Sequence, residues 1–316
     1  MGRFIDYGHG ITAIDAEFQR PGLAAFYLLT EAGKAAFIDT GTSLSVPHAL
    51  SALQRNGLTA HDVAYVIPTH VHLDHAGGAG EMLRRFPNAR LVVHPRGARH
   101  LIDPGKLIAG VAEVYGAEAA ARHFGTIAPI PAERVIEAPD NFVLELGGRK
   151  LLFLDTPGHA RHHFCVWDGR SRGVFSGDTF GISYREFDTD KGAFIFPTTT
   201  PVQFDPQALH ASIDRLVALR PTQIFLTHFG RVTEIEQLAG DMHELVTAFA
   251  DMARSLRAAG PARHARLIEG QRDILLPRLA AHGCKFDPDQ FEKLLAGDYE
   301  LNAQGLGVWL DREAAG

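Results

Sequence analysis

Cysteine is scarce in this chain: its 316 residues include only Cys165 and Cys284. Two thiols so far apart cannot form the disulfide framework of a small secreted domain or a paired thiolate metal site. They read as small buried hydrophobes in a reducing cytoplasm. Basic residues are also in the minority, 31 Lys and Arg against 37 Asp and Glu, for a net charge of −6. That balance argues against a general nucleic-acid binder. No apolar run approaches membrane-spanning length, so a membrane partner is not expected. The first residues, MGRFIDYGHG, lack the basic start and apolar stretch of a signal peptide, and a cytoplasmic location is expected. The GxSxG elbow of serine hydrolases is absent. There is no internal repeat and no low-complexity segment.

Histidine, by contrast, is plentiful and clustered. Thr69 to Gly78 reads THVHLDHAGG, which places His70, His72, Asp74 and His75 within one short stretch. Imidazoles and a carboxylate this close are costly to bury without a partner. They are also the ligand types that zinc and similar ions take. Several short apolar runs stop at a polar residue in the same manner. AAFID ends at Asp39, VAYVIPT precedes His70, LLFLDTPG precedes His159, GVFSG precedes Asp178 and QIFLT precedes His228. Each has the length and richness of a buried strand, followed by turn chemistry. If these strands share a sheet, their trailing loops gather His70, His72, Asp74, His75, His159, Asp178 and His228. That set is too large for one tetrahedral zinc and suits two ions sharing a carboxylate. At the third motif, His162 and His163 follow closely and either could coordinate instead; the place of His159 directly after Pro-Gly favours His159. Asp178 could also simply cap a turn. His94, His100, His123, His210, His243 and His264 read as surface or helix residues.

The order IDTG, THVHLDH, TPGH, SGD, THFG resembles the metallo-β-lactamase-fold hydrolases over roughly residues 20 to 235. The resemblance implies an α/β architecture, an αββα sandwich with the metals at one edge. Carried onto this chain, it implies that His70, His72 and His159 hold a first ion and Asp74, His75 and His228 a second, with Asp178 bridging. Asp39 would orient a ligand, and His163 is a further candidate for that supporting role. The implied cofactors are two divalent metal ions, zinc first, with iron or manganese as alternatives. The implied reaction is attack of a metal-bound hydroxide on an ester, thioester or lactone carbonyl of a small molecule, since such a centre lowers the pKa of bound water to roughly 7. Asp74 and Asp178 are the catalytic candidates, Asp74 by orienting the nucleophile or receiving its proton. A phosphodiesterase or nuclease of the same fold, or an iron-dependent sulfur dioxygenase, is the alternative. GDTFGISYREF and LNAQGLGVWL resemble a glyoxalase II-like branch.

The organisation expected is a catalytic domain over residues 1–235 and a helical appendage over 236–316. The Ala-rich stretch at about 97–135 reads as a mostly helical insertion, a lid or a subunit contact in a homodimer. Asp205 followed by Pro206 signals a helix running to about Leu219. Helices are expected over 236–258 and 263–282, and a third from Asp287 as cap and Pro288 at the first turn. Arginines of the tail alternate with acidic residues, which reads as a solvated face. Tyr184, Phe187, Phe194 and Phe196, in the loop after Asp178, would either line an apolar substrate pocket or anchor the loop onto the core.

Overall fold

In a computed structural model, which describes residues 4–199 and 202–315, the apolar runs are strands of two sheets. The first sheet has the order β1 to β7: Phe4–Asp6 (β1), Ile11–Asp15 (β2), Ala25–Glu31 (β3), Lys34–Ile38 (β4), Val63–Ile67 (β5), Arg90–Val93 (β6) and Val135–Glu137 (β7). The second is built from Val143–Leu146 (β8), Arg149–Asp155 (β9), Phe164–Asp168 (β10), Gly173–Gly177 (β11), Gln223–Leu226 (β12) and Gly230–Val232 (β13), in the order β13-β12-β11-β10-β9-β8. β3, AFYLLTE, is nearly continuous in apolar residues because both its faces are covered. β8, VLEL, alternates exposed and buried side chains, as a strand with one wet face must.

Chain clustering separates two compact units: Met1–Asp155 with His162–Gly177 and Thr222–Arg231, and Thr156–Arg161 with Asp178–Pro221 and Val232–Gly316. This differs from a split at residue 235, because the loop and helix between Asp178 and Pro221 group with the C-terminal helices.

In the first unit one core lies between the sheets. It takes Ile11, Tyr27, Leu29 and Ile38 from one and Leu151, Phe153, Phe164, Phe175 and Phe225 from the other. Phe153 and Phe164 meet edge to face at 4.8 Å, and truncating such a ring to alanine costs about 3–5 kcal/mol. A second core covers the other face of the first sheet with Val46–Arg55 (α1), Leu73–Ala76 (α2), Ala79–Arg85 (α3) and Pro95–Ile102 (α4). Within residues 97–135, Gly105–Tyr115 (α5) and Ala117–Phe124 (α6) follow α4. Phe124 anchors α6, packing on Phe18.

The second unit contains Pro206–Ala218 (α7), Ile235–Ser255 (α8), Arg263–His282 (α9) and Pro288–Ala315 (α10). Their starts follow from the sequence. The Asp205 side chain accepts from the Ala208 amide at 3.0 Å, and Asp287 and Gln290 cap each other's amides at 2.8 and 3.0 Å. The loop after Asp178 is tied down along its length. Tyr184 donates to Asp298, the Thr199 amide donates to Asn302 Oδ1 at 2.6 Å and Thr189 Oγ1 donates to the His282 carbonyl at 2.8 Å. Tyr184, Phe187, Phe194 and Phe196 are all buried and in ring contact with one another, and Phe187 also meets Phe286 and Phe291. This packing is what the anchoring reading requires.

Candidate metal centre

Parallel pairing decides where the polar residues emerge. In β4 and β5 Ile38 lies opposite Ile67, so Asp39 and Thr69 leave the sheet side by side. In β11 and β12 Gly177 pairs with Leu226, one strand ending just before Asp178 and the other just before Thr227 and His228.

Asp39, 1% exposed, binds these ends together. Its Oδ1 accepts from the Thr69 amide at 2.7 Å and Thr69 Oγ1 at 2.9 Å. Its Oδ2 accepts from Thr227 Oγ1 at 2.6 Å and lies 2.9 Å from His75 Nδ1. A carboxylate can only accept here, so His75 carries its proton on Nδ1 and turns a lone pair outward from Nε2. His228 is fixed the same way: its Nδ1 donates to the Leu23 carbonyl at 2.8 Å. Both Nε2 atoms converge on Asp74 Oδ2, from 3.4 Å for His75 and 3.2 Å for His228. Asp74, His75 and His228 thus offer three donor atoms within 4.8 Å of one another.

His70 and His72 lie beside this group. His70 Nε2 and His72 Nδ1 approach to 2.8 Å, and Thr69 Oγ1 stands 3.2 Å from His70 Nδ1. His163 is fully buried and stacks on His70 at 4.9 Å between ring centres. Gly177, with φ +48°, is required at the end of β11, since a Cβ there would sit 2.5 Å from His163 Nε2 and 2.6 Å from Thr69 Oγ1. His162 is buried and approaches His70 and His72 with ring centres at 6.2 and 5.7 Å.

In the second unit His159 follows the same rule. Its Nδ1 donates to the Thr198 carbonyl at 3.4 Å, and its Nε2 lies 3.3 Å from Asp178 Oδ2. Both residues are buried.

Two readings need correction. His94 is not a surface residue. It is 5% exposed, caps α4 by accepting from the Arg96 amide at 3.1 Å and faces Asp155 at 3.1 Å. Cys165 is buried as expected, but Cys284 is only half-buried, its thiol reaching the Phe187 carbonyl at 3.3 Å. Sequence reasoning also missed Thr69 and Thr227, which hold Asp39. The signal was present, because the motifs at His70 and His228 both open with Thr-His.

The comparisons with known proteins can now be set beside this geometry. The model of the metallo-beta-lactamase superfamily matches residues 20–228, and the chain belongs to that superfamily. Its fold is accordingly the metallo-β-lactamase fold, mixed sheets flanked by helices, with a C-terminal helical region. The metallo-beta-lactamase fold-containing protein ST1585 of Sulfurisphaera tokodaii is 29% identical over 71% of this chain and 79% of its own. The structure solved for ST1585 is similar over 94% of this chain and 98% of that one, with a TM-score of 0.64. Human acyl-coenzyme A thioesterase MBLAC2 is 32% identical over 54% of this chain and 63% of its own length. A hydroxyacylglutathione hydrolase of Synechococcus is 31% identical over 47% and 46% respectively. The chain thus spans less than two thirds of these last two relatives. No described helix is long and apolar enough to cross a membrane.

Proposed function

We propose that this chain is a metal-dependent hydrolase of small carbonyl esters, with acyl thioesters as its first candidate substrates. The observation that carries the reading is the set of histidines whose Nδ1 is committed to a fixed acceptor. His75 uses Asp39, His228 the Leu23 carbonyl and His159 the Thr198 carbonyl, leaving Nε2 of each as a metal donor. The relatives named as a thioesterase and a hydroxyacylglutathione hydrolase support the choice of substrate class.

The donor types fit divalent ions that prefer imidazole and carboxylate, zinc first, with iron or manganese as alternatives. As the superfamily pattern implies, His70, His72 and His159 would hold one ion with Asp178 shared, and Asp74, His75 and His228, whose donor atoms lie within 4.8 Å of one another, a second. When bound, the ions would polarise the substrate carbonyl and lower the pKa of a water to roughly 7. The protein's own part is positional and acid–base. Asp39 and the two carbonyls prevent the imidazoles from rotating, and Asp74 orients the attacking water and takes its proton. Neither cysteine forms a disulfide, which supports the proposed cytoplasmic location.

The test is a screen of zinc-reconstituted protein against acyl-coenzyme A and acyl-glutathione thioesters, lactones, aryl esters and phosphodiesters. Turnover concentrated on thioesters supports the reading. Turnover of phosphodiesters alone would replace it.

A further inference from the structure

Within the helical unit a second group of metal-binding side chains stands on elements that carry none of the seven proposed ligands. His210 of α7 and His243 of α8 lie with rings nearly parallel, 4.9 Å between centres and 18° between planes. Their Nδ1 atoms are 2.6 Å apart. The outer nitrogen of each ring also has a partner. His243 Nε2 lies 3.0 Å from Asp214 Oδ1, and His210 Nε2 lies 3.4 Å from Thr247 Oγ1.

Proton placement follows from these partners. Asp214 only accepts, so the neutral His243 carries its proton on Nε2 and presents the Nδ1 lone pair to His210. In the metal-free protein the gap is filled by the proton on His210 Nδ1. The Asp214–His243 contact is the carboxylate–histidine arrangement that orients a ligating imidazole and raises its basicity. Both rings are half-buried and Asp214 is 73% exposed, so an ion can arrive from solvent.

We propose that His210 and His243 form a peripheral site for a first-row transition-metal cation, which takes the place of the shared proton. The cation binds both Nδ1 atoms, Asp214 braces one ring from behind, and water completes the coordination. Two nitrogens on a tetrahedral ion lie about 3.3 Å apart, so the rings part by roughly 0.7 Å, a small shift for half-buried side chains on two helices. On binding, the His210 Nδ1 proton leaves and one is taken up at Nε2 toward Thr247, so the ring remains a neutral imidazole. Burial holds the His210 ring below its usual pKa, which keeps it a neutral imidazole able to bind a metal near neutral pH. Among divalent ions Cu²⁺ should bind most tightly.

Calorimetric titration of the metal-loaded protein with Cu²⁺ tests this. One further saturable equivalent is expected, lost in His210→Ala and in His243→Ala but kept in His61→Ala, an exposed histidine elsewhere. Asp214→Asn should weaken it by about 10- to 100-fold. A second readout is thermal: Cu²⁺ should raise the Tm of the wild type and not that of His210→Ala, because the ion bridges α7 and α8. No additional equivalent in the wild type, or an equal one in both histidine variants, would overturn the site and leave the pair as a proton-sharing contact between helices.

Discussion

Two polar clusters lie buried in the first unit, and they are built on opposite principles. Where β9 begins and β10 ends, Arg149 and Asp168 have fully buried side chains. The guanidinium donates to both Asp168 oxygens and to the His9 carbonyl, and Ser171 donates to Asp168 from its amide and hydroxyl. The functional groups in this cluster point inward at each other. At the ends of β4, β5 and β12 the carboxylate of Asp39 is just as well satisfied, but its partners are not closed. His75 and His228 spend one nitrogen on the protein and turn the other toward Asp74. A closed cluster holds the fold, whereas a cluster with aligned, half-used ligands can receive an ion.

The comparison breaks most sharply under metal removal. Chelation should abolish hydrolysis, and zinc should restore it, while the unfolding midpoint in urea of a variant lacking the Arg149–Asp168 pair shifts regardless of metal. Asp74→Asn should cost about 10²–10⁴-fold in kcat with the circular dichroism spectrum unchanged. Arg149→Met acts on the other cluster: it should cost about 3–5 kcal/mol of stability by leaving a buried carboxylate unpaired, while kcat per folded molecule stays at wild type. Asp39→Asn should weaken metal affinity by about 10- to 100-fold, since an amide can present an N–H to His75 and reverse its tautomer.

Acid sharpens the same contrast. Burial opposes the charge of Asp168, but the Arg149 and Ser171 hydrogen bonds exceed it and lower its pKa. A carboxyl with a depressed folded-state pKa stabilises fully above its unfolded value near 3.8 and loses that contribution as pH falls through the folded value. Wild-type stability should therefore decline below about pH 4, with a shallower decline in a double variant carrying Arg149→Met and Asp168→Leu, measured by urea melts across pH.

The sequence made one of these clusters far more legible than the other. Strands that stop at Asp39, His70, Asp178 and His228 were readable because apolar runs end abruptly at ligand-type residues. The helix starts at Asp205 and Asp287 were readable from local cap chemistry. What orients the histidines was not readable. The carbonyls of Leu23 and Thr198 carry no residue-type signature, and Leu23 lies 205 residues from His228. The Arg149–Asp168 pair was missed because an arginine and an aspartate 19 residues apart look like two surface charges until β9 and β10 pair. His94 was misread because burial of an imidazole depends on a partner, Asp155, that is 61 residues away. The ring contacts of Phe187 with Phe286 and Phe291 were not readable either, because those partners lie far along the chain.

The most direct test is metal content per folded chain, measured by elemental analysis of protein purified without added chelator. Two ions per chain in the wild type, falling by at least one in His75→Ala and unchanged in Arg149→Met, is the predicted result. A wild type that holds no stoichiometric metal after exposure to zinc, iron and manganese would contradict the account.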